Sequence, residues 1–175
     1  MGASQARDEQ LMPEIANAAY NKDWNKVFEL LKQSPQLLDK VEKMGQHLLH
    51  FAADEGNLNA IEKLIELGAF VDILDRMDHT PIGFAAAKGQ LDIIKALFAQ
   101  NADINILDAS GHGPLYACAV RGHLDCVKFL VEHGADTTAQ DVYNGKTPLE
   151  MAIQFKRNEV ATYLQAHKDK LAGPK

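Results

Sequence analysis

Glycine recurs at a fixed spacing through the middle of this 175-residue chain. Gly89 lies 33 residues after Gly56 and 33 residues before Gly122. A second series, in which each member is followed by alanine, keeps the same step: Gly68, Asn101 and Gly134. A fixed period of this length indicates one small structural unit that is repeated along the chain.

The unit is clearest between residues 75 and 107. Residues 75–79 are polar turn formers, and Thr80-Pro81 opens an apolar stretch that stops at Gly89. A second stretch, residues 91–98, has its apolar residues at helical spacing and ends at Asn101. The pattern predicts a turn, a short helix, a tight loop, a longer helix and another turn.

Five short segments, at several points of the unit, carry a characteristic residue pattern. They are Thr80-Pro81, Thr147-Pro148-Leu149, Leu49-His50-Phe51-Ala52-Ala53, Gly122-His123-Leu124 and Gly134-Ala135-Asp136. With these segments the chain resembles the ankyrin repeat family over roughly residues 11–167. The resemblance implies an all-α solenoid of about five helix-turn-helix repeats with short β-hairpin loops.

The period also predicts the domain boundaries. Residues 1–10 are polar and aperiodic, so we expect a disordered N-terminal tail. One ankyrin repeat domain is expected over residues 11–168, followed by a flexible tail at 169–175. Its predicted parts are an N-terminal cap at 11–41, repeats at 42–74, 75–107 and 108–140, and a C-terminal cap at 141–168. The end copies lack parts of the pattern, as the caps of a solenoid must.

Charge and hydropathy argue against two classes of function. The net charge is −6, whereas a nucleic-acid binder needs clustered lysine and arginine, so we expect no nucleic-acid partner. No apolar run approaches the roughly 20 residues of a membrane span, and we expect neither a membrane role nor a secretory leader. Met1-Gly2 opens like a myristoylation motif, but Ala6 stands where serine or threonine is required.

The two cysteines predict a compartment. Cys118 and Cys126 occupy apolar helix positions of one repeat, and two cysteines make no disulfide framework in a chain of this size. Buried, reduced thiols are therefore expected, and with them a cytoplasmic or nuclear location.

Residues that carry chemistry do not form a recognisable catalytic motif. No nucleophile elbow, phosphate loop or zinc-protease motif is present, so we expect no enzyme, no catalytic residue, no cofactor and no metal. His79 and His112 are 33 residues apart, which predicts neighbouring hairpin tips that are poorly placed to share one zinc ion. His50 matches the family position at which the ring bonds to backbone, which implies a structural role.

One asparagine resembles a modification site. Leu97, followed by Asp103-Ile104-Asn105, is similar to the ankyrin sequence in which the asparagine is a substrate of asparaginyl hydroxylases. The corresponding positions of other repeats hold Asp72 and Thr138, so Asn105 is the candidate. The alternative is a hydrogen bond across its own turn.

The resemblance also implies where a partner protein binds, on the concave face made by hairpin tips and the starts of the first helices. The predicted partner-binding residues are Met44, Gln46, Asp54, Glu55, Arg76, Met77, His79, Lys88, Ser110, His112, Arg121, Tyr143, Lys146 and Phe155. Met77, Tyr143 and Phe155 are the expected anchors, because methionine and aromatic residues are enriched at interfaces. The predicted residues on the first helices form a row, called here the helix row. Its charge changes from acidic at Asp54-Glu55 to basic at Lys88 and Arg121, which predicts a partner segment with the opposite order of charges.

Two classes of function remain open at this point. The first is a monomeric protein-interaction module that acts as an adaptor, scaffold or inhibitor. The second is an enzyme, or a regulatory subunit, with a small-molecule site.

Overall fold

A computed structural model describes residues 2–172 of the chain, with side chains from residue 4, as five pairs of helices. The first helices of the pairs are α1 (Gly2–Tyr20), α3 (Leu48–Glu55), α5 (Pro81–Lys88), α7 (Pro114–Arg121) and α9 (Pro148–Gln154). The second helices are α2 (Trp24–Gln33), α4 (Leu58–Glu66), α6 (Leu91–Ala99), α8 (Leu124–Glu132) and α10 (Asn158–Ala172). A 3-10 turn at Pro35–Leu37 and two short strands, β1 (Glu42–Lys43) and β2 (Gln46–His47), complete the described elements.

The pairs stack in chain order. Each first helix packs against the next, from α1 to α9, and α4, α6, α8 and α10 form a second, parallel row. One continuous apolar core runs through all five pairs, from Leu11 to Leu164. The chain is therefore the all-α solenoid of five repeats that the family resemblance implies.

Small side chains permit this close stacking of the first helices. Ala85 and Ala86 in α5, Ala119 in α7 and Ala152 in α9 are all completely buried. A larger side chain would overpack the interface between neighbouring repeats and destabilise the fold by about 1–3 kcal/mol.

Glycine ends three of the first helices, α3, α5 and α7, where the backbone turns towards the second helix. Gly89 adopts a φ of 71°, in the left-handed region that residues with a side chain rarely adopt. A β-carbon at Gly89 would also lie 2.5 Å from the His123 ring of the next repeat. The recurring glycine is thus required both by its own turn and by its neighbour.

Within residues 2–172, the second repeat alone has the strand pairing that the hairpin expectation implies. Glu42 pairs with His47, and Lys43 pairs with Gln46, around a turn at Met44-Gly45 in which both residues have positive φ. In the described residues, the other tips are tight turns without strands. A β-hairpin is therefore seen in one loop, and the other described tips are tight turns.

The N terminus differs from the expected disordered tail. From Gly2 onward, residues 2–10 are the first part of α1, and Met1 lies outside the described residues. Polar contacts hold this segment to the first repeat: Arg7 donates to Gln33 over 2.9 Å, and Gln36 donates to Asp8 over 2.9 Å. The lack of apolar periodicity does not indicate disorder here, because helix-favouring polar residues fix the segment through side-chain hydrogen bonds.

The C terminus differs in the same direction. Helix α10 continues to Ala172, so residues 169–172 of the expected flexible tail are helical. Gln165 donates to the Asp169 carboxylate over 2.8 Å, one helical turn further along. Residues 173–175 of that tail lie outside the described residues.

A buried histidine ties the second repeat to the third. The His50 Nδ1 accepts from the backbone N–H of His47 at 3.1 Å, and its Nε2 lies 2.9 Å from the carbonyl of His79. This pattern requires the neutral ring with its proton on Nε2, which donates to the carbonyl. Burial, the largest effect, lowers the pKa of His50 from 6.5 to about 4. The structural role that the family resemblance implies for His50 is the one seen.

The lowered pKa predicts acid sensitivity with a defined window. As the pH falls from 6.5 towards 4, the unfolded chain binds a proton at residue 50 that the folded chain does not. The free energy of unfolding should therefore decrease by about 3 kcal/mol across that window. Urea titrations at pH 7 and pH 4.5 should show this loss in the native chain and a much smaller one in His50→Gln. Equal losses in both proteins would contradict the assignment.

The lack of a side-chain cap at the N terminus of α7 leads to a second prediction. Thr80 accepts from the backbone N–H of Gly83 at 3.2 Å, whereas Gly113 offers α7 no side-chain cap. A β-carbon at Gly113 would meet only the half-exposed Leu107 side chain closely, at 3.2 Å. Gly113→Ser should therefore stabilise the chain by about 0.5–1 kcal/mol, and Thr80→Gly should destabilise it by a few tenths or more. Thermal unfolding of the two variants checks the pair; a lower midpoint for Gly113→Ser would refute the capping argument.

Candidate functional site

The hairpin tips of the third, fourth and fifth repeats form a continuous row. The N–H of Ala109 donates to the carbonyl of Met77 over 3.0 Å, and the N–H of Val142 donates to that of Ser110 over 3.0 Å. The sequence-predicted tip residues in this row are Met77, His79, Ser110, His112, Tyr143 and Lys146. An ion pair of 2.6 Å between Arg76 and Glu42 extends the row to the β1–β2 hairpin, where Met44 and Gln46 lie.

Apolar side chains along this face are unusually exposed. Met44 is 81% exposed, Met77 53%, Tyr143 77% and Phe155 45%. Since none of them contributes to the core, they are available to a partner. The three predicted anchors therefore have the accessibility that the interaction hypothesis needs.

An aspartate at the base of each tip fixes its backbone. Each carboxylate accepts two or more backbone N–H groups of its own tip: Asp75 from Met77 and His79, Asp108 from Ser110 and His112, and Asp141 from Tyr143, Asn144 and Lys146. Burial acts to raise the pKa of Asp75 and of Asp141, but hydrogen bonds to the charged form outweigh it and lower both. At Asp75 the His79 side chain contributes most, followed by the backbone N–H groups; at Asp141 the backbone N–H groups contribute most. The tips are therefore held in one conformation by backbone hydrogen bonds to their own aspartate carboxylates.

Two tip histidines meet at one carboxylate. The His79 Nδ1 lies 3.0 Å from Asp75 Oδ2, and its Nε2 lies 3.3 Å from Asp108 Oδ2. The His112 Nδ1 lies 3.6 Å from the same Asp108 oxygen. The two histidines therefore share the Asp108 carboxylate, whereas the expectation made from the sequence concerned a shared zinc ion. In residues 4–172, however, no group of three or more potential ligands is arranged to hold a metal ion.

A groove of about 470 Å³ lies between these tips and the first helices α5, α7 and α9. Four predicted residues line it: His79, His112, Arg121 and Phe155. Its apolar surface comes largely from residues that the sequence reasoning did not select, namely Phe84, Tyr116 and Met151. The Tyr116 ring stacks on the His112 ring with centroids 4.0 Å apart.

The repeat register could have identified the missed residues. Phe84, Ala117 and Met151 occupy one position of successive repeats, once the single insertion near residue 143 is counted. Tyr116 occupies the position of His50. Because position in the repeat decides which way a side chain points, one lining residue found in any repeat identifies its equivalents in the others.

Charges on the first helices are mostly used inside the chain. Lys88 Nζ lies 3.0 Å from Asp54 Oδ1, which links α3 to α5. The indole N–H of Trp24 donates to Glu55 over 2.6 Å. Among residues 4–172, Arg121 has no ion pair and is exposed at the edge of the groove. Of the predicted basic residues on the first helices, Lys88 and Arg121, it is the one whose charge is left for a partner.

Asn105 lies outside this face, in the loop after α6, and links two repeats. Its Oδ1 accepts from the backbone N–H of Asp136 at 2.8 Å, and its Nδ2 donates to the carbonyl of Gly134 over 3.3 Å. Asp72, at the same position one repeat earlier, accepts from Asp103 N–H. The side chain of Asn105 therefore bonds to the next repeat rather than across its own turn, and its hydroxylation stays a prediction.

Asn105 is exposed at the surface, so an enzyme must open only these loop bonds to reach it. We expect a mass increase of one oxygen on the peptide that contains Asn105 when the protein is isolated from its native cells. Tandem mass spectrometry locates the added oxygen, and the peptide that contains Asp72 is the internal control. An unmodified Asn105 peptide from cells with active asparaginyl hydroxylase would contradict the assignment.

The two thiols are buried in the core, as the sequence predicts. Cys118 donates to the carbonyl of Ala86 over 3.4 Å, and burial raises its pKa well above the ordinary value. The neighbouring Cys118 side chain is the main cause that lowers the pKa of Cys126. Neither is bonded in a disulfide. A buried thiol with a raised pKa is a poor nucleophile.

Comparison with protein families decides what the repeats are. A family model described as ankyrin repeats (3 copies) matches residues 15–108 and, in a second match, residues 83–172. The chain belongs to the ankyrin repeat family. Ankyrin repeats are generally protein–protein interaction modules and are typically non-enzymatic. A search of curated proteins found no match. Of the helices in the part of the chain described here, none is long and apolar enough to cross a membrane.

Proposed function

We propose that the concave face of this ankyrin repeat chain binds a partner protein, so that the chain acts as an adaptor, scaffold or inhibitor. The observation that carries the proposal is the groove of about 470 Å³, flanked by the exposed side chains of Met77, Tyr143 and Phe155. An apolar groove beside exposed aromatic and methionine side chains is typical of the centre of a protein interface.

The charges refine the expected partner. Asp54 and Glu55 are engaged with Lys88 and Trp24, so the acidic end of the helix row has little charge to offer. Arg121 keeps its charge at the other end. We therefore expect one apolar or aromatic side chain in the groove and a carboxylate on Arg121, rather than the full reversed charge order.

Rigidity of the face supports tight binding. Asp75, Asp108 and Asp141 hold the tips, and the tips hold one another through backbone hydrogen bonds. A surface that is ordered before it meets its partner loses less conformational entropy on binding. The same argument favours a partner segment that adapts to the face, since the face itself has little freedom.

The remaining features of the proposal follow from the chain itself. We infer that it acts as a monomer without catalysis or a cofactor. The net charge of −6 argues against a nucleic-acid partner, and the buried thiols argue against a cysteine nucleophile. Free thiols support a reducing compartment, the cytoplasm or the nucleus.

A second candidate is a regulatory subunit, or an enzyme, with a small-molecule site. The groove volume favours it to a limited degree, because ligand pockets span about 300–1,000 Å³. Its polar side carries His79, Asp108 and His112, which could orient a small polar ligand.

The triple variant Met77→Ala, Tyr143→Ala, Phe155→Ala tests the first candidate. Immobilised native and variant chains are incubated with lysate, and retained proteins are quantified by mass spectrometry. At least one protein should bind the native chain at least tenfold better, because anchor residues contribute about 1 kcal/mol or more each.

A matched control removes exposed apolar side chains elsewhere. Leu58→Ala, Leu171→Ala alters only α4 and α10, and it should retain the partners that the triple variant loses. If the triple variant keeps every partner while folding normally, the concave face is not the docking surface. Partners lost equally from both variants would show a general surface effect and would also count against the proposal.

A further inference from the structure

The outer face of the solenoid has a gap between its first two repeats. The second helices pack in order, α4 against α6, α6 against α8 and α8 against α10, but α2 and α4 approach one another less closely. The gap holds a groove of about 520 Å³, lined by Phe28, Leu31, Leu38 and Leu67 among others. It shares no lining residue with the concave groove. The two grooves are separate sites.

Apolar residues stand beside this groove where the sister repeats have polar ones. Leu67 is 55% exposed and occupies the position of Gln100 and His133. Phe70 is 60% exposed and occupies the position of Asp103 and Asp136. The repeat fold therefore does not require an apolar side chain at either position. Two exposed apolar residues at such positions are better explained by an occupant than by folding.

Phe70 is held next to the groove by its backbone. Its N–H donates to the carboxylate of Asp39 over 3.2 Å, and Asp39 directly follows the lining residue Leu38. The groove and the exposed Phe70 ring thus lie close enough to form one apolar surface that covers the end of α4 and the turn after α2.

The rim of the groove is positively charged, in contrast to the chain as a whole. Lys32 from α2 and Lys63 from α4 line it with one acid, Glu66. Among residues 4–172 neither lysine forms an ion pair, and the Lys63 ammonium rests 5.2 Å from the centre of the Phe28 ring. In a chain of net charge −6, this rim favours an anionic occupant.

We propose that this outer groove is a second docking site, which binds an acidic amphipathic segment of a partner protein. The apolar side chains of the segment occupy the gap between α2 and α4 and cover Leu67 and Phe70. Its carboxylates pair with Lys32 and Lys63. The proposal is independent of the concave face, and it would make the chain a link between two partners.

The test uses a phage-displayed library of random 12-residue peptides, panned on the full chain. Selected peptides are then synthesised, and their affinities are measured by fluorescence polarisation. Two variants probe the groove. Leu67→Gln, Phe70→Asp introduces the residues that the sister repeats carry at these positions, so it should preserve folding. Lys32→Glu, Lys63→Glu reverses the rim charge.

The expected result is a class of peptides with two or more apolar residues and at least one aspartate or glutamate. Their affinity should fall at least tenfold with either groove variant, and the loss from charge reversal should shrink at high salt. The concave triple variant at Met77, Tyr143 and Phe155 should bind them unchanged. That control keeps this proposal distinguishable from the proposed function of the concave face.

Three outcomes would overturn the proposal. The first is a peptide set whose binding does not depend on either groove variant. The second is sedimentation of the native chain as a dimer that Leu67→Gln, Phe70→Asp dissociates, which would make a second copy the occupant. The third is binding of dodecanoate with the same variant dependence and no groove-dependent peptide, which would assign the groove to a small amphiphile.

Discussion

Burial between neighbouring repeats is the interaction on which the whole structure depends. Each helix pair has an apolar side that it cannot cover alone; Ile94 and Leu97 of α6, for example, are fully buried only because the adjacent pairs lie against them. Stability in such a stack is approximately a sum of terms within repeats and between nearest neighbours. The alanines of the first helices set how closely the pairs approach, and so they also determine the spacing of the tips that form the concave face.

The periodic part of this architecture could be predicted from the sequence, and the aperiodic part could not. Gly56, Gly89 and Gly122 predict the turns because the left-handed backbone has a local cause. The helical N terminus has no such pattern, since it depends on pairs such as Arg7 with Gln33 that are distant in sequence. The groove was missed for a related reason: its walls combine residues from α5, α7 and α9, and no single segment displays them together.

Charged side chains on the concave face mainly fix the conformation of the chain itself and contribute less to recognition of a partner. Asp75, Asp108 and Asp141 accept hydrogen bonds mainly from their own tips, and Asp54 forms an ion pair with Lys88. From sequence alone, Asp54 and Lys88 look like part of a binding pattern, because each lies one repeat away from its partner and the pairing cannot be seen by local inspection. What remains for a partner is mainly apolar surface and Arg121. The face is thus better suited to shape and hydrophobic recognition than to long-range charge steering.

Departures from the chain's own repeat mark both candidate surfaces. Tyr116 replaces the buried His50 and supplies an aromatic wall to the concave groove, while Leu67 and Phe70 replace polar residues on the outer side. Residues that folding requires are shared by all copies of the repeat. Residues in which one copy differs from the others are therefore candidates for a role in function. Because the two surfaces use different repeats and nearest-neighbour coupling fades along a solenoid, occupation of one need not alter the other. A chain of five repeats is long enough to hold two partners side by side, and the rigid stack would fix the distance between them.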